Sequence, residues 1–370
     1  MKKQGIWAVI LVVLLAAIFV TGCRQEEDSV ITESRKLKIV LLITSQLGDR
    51  GFYDSANDGM TLLQRELGAE VKTIEMGQDP SRYDPYIRDV AEQDWDYIII
   101  GTSPAVQIVE ELIPQYPDKH FIMFDSEVDW SKGGFGNLYC VLYKQNEGSF
   151  LAGVVAAIMT TEGRRANPQK IIGAIGGAEH PIISDFFIGY IEGARAVHSD
   201  IKVAIAYAGT FIDSTKGKEL GMAMMSQQNV DICFQVASQT GIGVLDAARE
   251  LNLYAIGVDG DQEAAFRDSN PEMADVIVTS MMKRVDQSIL RAIKLAEAGQ
   301  LPWGNTESIG LREQGVGIIE SPNFLRELSP EAQQIVKDFE QKIMNGQIKV
   351  SSSFEMSDED FKRLCAEVRP

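Results

Sequence analysis

Histidine is nearly missing from this chain, whose 370 residues include only three, His120, His180 and His198. Residues so few and so widely spaced do not assemble a metal site. Cysteine is scarce as well: Cys23, Cys140, Cys233 and Cys365 occur with no CxxC spacing. Setting Cys23 aside leaves an odd number, which cannot all pair within one chain, and Cys140 and Cys233 read as buried structural thiols. There is no HExxH, no GxSxG elbow and no GxxxxGK phosphate loop, and Gly173-Ala174-Ile175-Gly176-Gly177 lacks the GxGxxG spacing of a dinucleotide turn. The expectation is a protein that is not an enzyme and that holds neither cofactor nor metal. Positive charge is also in deficit, with 35 Lys and Arg against 53 Asp and Glu and a net charge of −18. Such a surface repels phosphate backbones, which excludes nucleic acid as a partner. The many carboxylates read as a solvated acidic surface rather than a catalytic pair.

Only one long apolar run is present, and it lies at the start. Lys2 and Lys3 precede a run from Ile6 to Val20 that ends in Val20-Thr21-Gly22-Cys23. The run is short for a membrane span, which needs about 20 apolar residues. Its ending resembles the lipobox of bacterial lipoproteins, which implies cleavage before Cys23, lipidation (palmitate) of that cysteine and anchoring on the outer face of the cell membrane. An uncleaved anchor is the alternative, and it places the body on the same side. From Arg24 to about Arg35 the chain is polar and charged, the composition of a flexible tether. About 335 residues remain, more than one core usually holds, so two domains are expected.

Within that body, strand and helix signals alternate. Leu37 to Ile43, Ala69 to Glu75, Tyr97 to Gly101 and His120 to Phe124 read as strands separated by helices. A second series follows, with strands at Leu138 to Tyr143, Lys170 to Ile175, Lys202 to Tyr207, Asp231 to Val236, Tyr254 to Val258 and Asp275 to Ser280. Such alternation gives parallel sheets covered on both faces, and two series give an α/β protein of two doubly wound lobes. Ligands of these sheets sit beyond the carboxyl ends of the strands. That rule points to Ser45, Thr102, Asp125, Gly176, Phe211, Ala237, Asp259 and Ser280.

Two stretches are distinctive, Gln145-Asn146-Glu147-Gly148-Ser149-Phe150-Leu151-Ala152-Gly153 and Ile256-Gly257-Val258-Asp259-Gly260-Asp261-Gln262. Gly48-Asp49-Arg50-Gly51-Phe52, Phe211-Ile212-Asp213 to Gly217-Lys218, and Thr279-Ser280 with Lys283 support them in order and spacing. Together, from Ile39 to about Val350, the chain resembles the basic membrane protein family of substrate-binding lipoproteins, which includes purine nucleoside receptors. The resemblance implies a type I periplasmic-binding fold, two lobes joined by crossing segments with a ligand cleft between them. On this reading residues 1–22 are a signal peptide and 23–36 the tether. Residues 37–144 with about 260–302 form lobe 1, 145–259 with about 303–350 form lobe 2, and 351–370 are a C-terminal tail.

Carried over position by position, the resemblance implies that Phe52 and Phe211 sandwich a flat base. Asp259 would accept hydrogen bonds from a ribose diol, Lys283 would balance that carboxylate and donate to ribose oxygens, and Asp125 would lie near the base or its sugar. From the residues alone, the two phenylalanines read equally as core packing at a helix start, and Asp259 as a turn or cap residue. Asp213 reads as a helix N-cap, and the Gln145 to Gly148 segment as structural. The chain departs from the family where Asp usually follows the first Thr (here Ser45), where Asn follows the stacking Phe (Tyr53), and in a Gly-Gly pair replaced by Ser238-Gln239. These departures bear on base choice. The implied role is capture of a nucleoside, with purine favoured, for an ABC-type importer with its permease and ATPase subunits, by lobe closure without chemistry. A ligand-sensing lipoprotein, or a binder of a sugar or other ring-bearing metabolite, is the alternative.

Overall fold

A computed structural model describes residues 35–370; Cys23 and the proposed signal and anchor segments lie outside the described residues. The chain folds into two α/β lobes. In the first, β1 (Lys38–Ile43), β2 (Glu70–Glu75), β3 (Tyr97–Gly101), β4 (His120–Phe124) and β5 (Leu138–Tyr143) form a sheet in the order β2-β1-β3-β4-β5. Every pairing is parallel. Parallel strands need crossovers, supplied here by α1 (Phe52–Leu67), α2 (Tyr83–Ala91) and α3 (Val106–Leu112). Because helices cover both faces, the central strands β1 and β3 are apolar, with Ile39 to Ile43 and Ile98 to Ile100 fully buried, whereas the edge strand β2 is polar and half-exposed.

The second lobe repeats the plan. Its strands are β6 (Ile171–Gly176), β7 (Lys202–Tyr207), β8 (Ile232–Val236), β9 (Tyr254–Asp259) and β10 (Ile277–Lys283), in the order β7-β6-β8-β9-β10. Around them pack α4 (Gln145–Glu162), α5 (Pro181–Val197), α6 (Ser214–Gln227) and α7 (Ser238–Leu251), with the short helices α8 (Gln262–Arg267) and α9 (Pro271–Val276) before β10. Helix α4 is buried on nearly every side, which explains its small residues: a Cβ at Gly153 would lie 2.1 Å from the Tyr190 carbonyl of α5. Asp213 caps α6 by accepting from the Lys216 N–H at 3.0 Å, as its position in the sequence implies.

The last third of the chain departs from the expected partition. The strand expected at Asp275 to Ser280 runs from Ile277 to Lys283 and belongs to the second sheet, whereas the sequence reading places about 260–302 in lobe 1. Helix α10 (Val285–Glu297) returns to pack on α1 in lobe 1. Strand β11 (Asn305–Ile309) then adds to β5 in parallel, whereas the sequence reading places about 303–350 in lobe 2, and β12 (Val316–Ile318) adds to β10 antiparallel. The backbone therefore crosses between lobes three times, after β5, after β10 and between β11 and β12. The crossings are tied together: the Lys144 N–H donates to the Ile309 carbonyl and the Arg284 N–H to the Gly315 carbonyl, each at 2.9 Å. Glu147 accepts from the Leu311 N–H at 2.9 Å, a structural role for the Gln145 to Gly148 segment.

Helices α11 (Pro322–Glu327) and α12 (Pro330–Met344) close lobe 2, and α13 (Asp358–Val368), capped by Ser357, packs on β7 and α5. The tail is bonded to the lobe it covers. The Ser352 hydroxyl and Ser353 N–H donate to the buried Asp185 at 2.7 and 2.9 Å, and the Gln145 amide joins them at 2.8 Å. Among the described residues, no helix is long and apolar enough to cross a membrane, and no cluster of His, Cys, Asp or Glu could hold a metal.

Candidate functional site

In both sheets the strand order reverses between the first strand and its two neighbours, at β1/β3 in one lobe and β6/β8 in the other. Such switch points open a crevice at the carboxyl ends. The two crevices face each other and form one cleft of about 520 Å³. Ser45, Phe52, Tyr53, Asp125, Phe211, Ser238, Asp259 and Lys283 all line it. Gln239, one residue into α7, is not among the lining residues.

The charged end of the cleft is deeply buried. Lys283, 2% exposed at the end of β10, donates to both oxygens of Asp125 across the lobes at 2.9 and 3.0 Å. Its ammonium also lies 5.4 Å from the ring centres of Phe52 and Tyr143 and 5.0 Å from that of Phe186. The carboxylate that Lys283 bonds is thus Asp125, and it acts on Asp259, which the resemblance implies it balances, through its charge alone. Asp259 is 9% exposed, and among the described residues none donates a hydrogen bond to its carboxylate. Burial pushes its pKa up to about 7; Lys283 pulls it back only in part, and Asp49 and Asp125 add to the rise. A buried carboxylate aimed into a cleft without a donor is an acceptor awaiting one.

Backbone strain gathers at the same residues. Asp125, Ser238 and Asp259 have φ of 56°, 50° and 66°, a left-handed region that costs side-chain-bearing residues about 1 kcal/mol or more. Each ends a strand or starts a helix at the cleft, where the turn aims its side chain inward.

The aromatic walls differ from one another. Phe52 packs at the start of α1 against Tyr53 and Phe124, with ring centres 5.1 and 5.6 Å away. Phe211 is 38% exposed at the mouth and rests on Gly177, where a Cβ would lie 2.1 Å from the ring. Only glycine allows that approach. The substituted positions are largely occupied by protein partners. The Tyr53 hydroxyl is 3.0 Å from that of Thr44, which is 3.2 Å from that of Thr102. Ser45 accepts from the Gln78 amide at 3.4 Å, and Ser238 donates across the lobes to Asp49 at 3.1 Å.

Sequence reasoning missed a second group of lining residues, including Gln78, Pro104, Glu179, His180 and Phe186. His180 carries the clearest role. Its Nδ1 accepts from the Ile182 N–H at 3.2 Å, capping α5, so the neutral ring bears its proton on Nε2. Burial lowers its pKa and favours that neutral form. His-Pro at a helix start was the available signal. The α1 N-terminus is similarly stopped: Asp49 accepts from the N–H groups of Gly51, Tyr53 and Asp54 at 3.1 to 3.2 Å.

A strained, cross-lobe cleft with aromatic walls, an internal ion pair and an unsatisfied acceptor defines a protein that encloses a small molecule between two lobes. No nucleophile–base pair or metal cluster is found among the described lining residues. The sequence matches the family described as ABC transporter substrate-binding protein PnrA-like over residues 36–353, and the chain belongs to that family. It is a substrate-binding protein of the ABC transporter class, and the family is not catalytic. The "ABC transporter nucleoside-binding protein BmpA" of Lactococcus lactis is 28% identical, over 95% of this chain and 100% of that protein. The "Basic membrane protein D" of Borreliella burgdorferi is 28% identical, over 91% of this chain and 93% of its own length. A solved ABC-transporter solute-binding protein from Aeropyrum pernix superposes with a TM-score of 0.76 at 24% identity, covering 90% of this chain and 97% of that one. That likeness establishes the two-lobed periplasmic-binding fold.

Proposed function

We propose that this protein is an extracytoplasmic lipoprotein, anchored through Cys23, that captures a nucleoside, a purine nucleoside foremost, and delivers it to the permease and ATPase of an importer. The observation that carries this reading is the Asp259 carboxylate, buried at the cleft without a hydrogen-bond donor. A vicinal diol supplies two donors at the spacing of one carboxylate, and a flat base attached to it reaches the Phe52 and Phe211 rings. The Lactococcus relative, named for nucleoside binding and matched over its full length, supports the same class. Ligand contacts with both lobes favour the closed form, and no bond in the ligand changes.

Charge narrows the class. Lys283 is the only lysine or arginine among the described lining residues, and Asp125 already occupies it. Asp49 and His180 stop two helix N-termini that could otherwise hold an anion. The cleft is therefore suited to an unphosphorylated ligand. The deciding experiment is a thermal-shift screen of the body after Cys23 against nucleosides, nucleobases, sugars and amino acids. Selective stabilisation by purine nucleosides is expected; stabilisation by sugars alone would overturn the base assignment, and product analysis after incubation should return the ligand intact.

A further inference from the structure

The Gly48 to Phe52 loop does more than start α1. Asp49 holds the loop rigid through the three N–H groups described above, and Asp54 accepts from the N–H groups of Gly48 and Arg50, each at 2.8 Å. So braced, the loop reaches across to lobe 2. The Arg50 guanidinium lies 4.5 Å from the Phe266 ring centre on α8. It donates to the Ala265 carbonyl, and to the Ser269 hydroxyl at 3.2 Å. The Arg50 carbonyl accepts from the Gln262 amide at 3.4 Å, and Ser238 completes the contact through Asp49. Gly51 and Gly260 permit the approach: a Cβ at Gly51 would lie 3.3 Å from the Val258 carbonyl, and one at Gly260 would lie 3.6 Å from the Gly51 Cα. Arg50 holds φ at 51° to make the turn. None of Arg50, Ala265, Phe266 and Ser269 lines the cleft.

We propose that Arg50 is a closed-state latch, a positioning residue that sets the affinity for every ligand alike by setting how much of the protein is closed. Its partners lie on the other lobe, so an opening that parts the lobes separates them. An interaction made only in the closed state raises the closed fraction of the free protein, and apparent affinity scales with that fraction. Because the latch never touches the ligand, its removal does not discriminate between ligands. A direct cleft contact, by contrast, weighs differently on ligands that differ where it touches. The latch depends on two-lobe closure rather than on ligand identity.

The test uses the full chain in lipid nanodiscs with a donor–acceptor dye pair on the outer ends of the two lobes. Arg50→Ala and Arg50→Lys are compared with the native chain, each checked for an unchanged circular dichroism spectrum. Adenosine and inosine affinities should fall by the same factor in Arg50→Ala, about tenfold for the loss of one charge-assisted contact. Energy transfer without ligand should shift toward the open form and return to the native value at saturation, with faster ligand release. Arg50→Lys, which keeps the charge but not the planar fork, should lie between the two. Unchanged affinity, unequal losses for the two nucleosides, or an unchanged unliganded transfer efficiency would each overturn the latch. If the native chain binds neither nucleoside, the nucleoside reading fails while the unliganded transfer efficiency of Arg50→Ala still decides the latch.

Discussion

Asp259→Asn exchanges a buried carboxyl for a neutral group of the same shape. In the folded protein this carboxyl is raised to about 7 from an ordinary 3.8. For an acid raised in this direction, the stability contribution is fully present below pH 3.8 and is lost as pH rises through about 7. At pH 8 the ionised group therefore costs the closed, ligand-free fold up to roughly 4 kcal/mol relative to water. Opening of the lobes rehydrates the carboxylate, which makes that figure an upper bound. Asparagine carries no such cost. The ligand-free variant should melt a few degrees higher than the native protein at pH 8, and its advantage should shrink as the buffer is made more acidic. Binding moves the other way. Hydrogen bonds to a charged acceptor contribute about 1.5–3 kcal/mol each against about 0.5–1.5 for neutral ones. A ribonucleoside should accordingly bind about tenfold to a hundredfold more weakly, and the free base as before. Scanning fluorimetry from pH 5 to 8.5 with calorimetric titration reads both effects. A variant no more stable at pH 8, or one that loses nucleoside and base equally, would refute the reasoning.

Gly177→Ala should displace the Phe211 ring and weaken nucleoside binding several-fold, with less effect on ligands that lack a ring, as read by calorimetric titration. Lys283→Met leaves Asp125 buried without its partner and should destabilise the fold by about 3–5 kcal/mol in urea melts; adding Asp125→Asn should recover part of the loss. Adenosine should raise the melting temperature, whereas its 5′-monophosphate should not, and equal shifts would show that the cleft admits phosphate. Protein beginning after Cys23 should bind with undiminished affinity by calorimetry, since the family match and the cleft lie within residues 36–353.

The alternation of apolar runs and helix patterns in the sequence was enough to place nearly every strand of both sheets, because strands buried on both faces cannot be anything but apolar. The rule that ligands gather at strand ends then found the deep half of the cleft, including Asp125 and Asp259. It missed Gln78, Glu179 and His180 because these sit in the loops beyond β2 and β6, where side-chain direction depends on the turn. Gln239 is a related case: adjacent positions of a helix do not share a face, and Ser238 rather than Gln239 lines the cleft. The sheet to which β10 and β11 belong was not legible either. An isolated strand carries the signature of burial but not the identity of its neighbours, and the crossings that decide it are held by backbone bonds such as that of Lys144 to Ile309. The pairing of Lys283 with Asp125 rather than Asp259 required both lobes in place, since the three residues end three separate strands.

The late arrival of the final strands also bears on the order in which the cleft is completed. The first sheet gains its edge only with Asn305–Ile309, and the second with Val316–Ile318. A chain synthesised amino end first thus holds both sheets unfinished until its last quarter. The two closing strands follow one another within a few residues, so the two halves of the cleft gain their edges together.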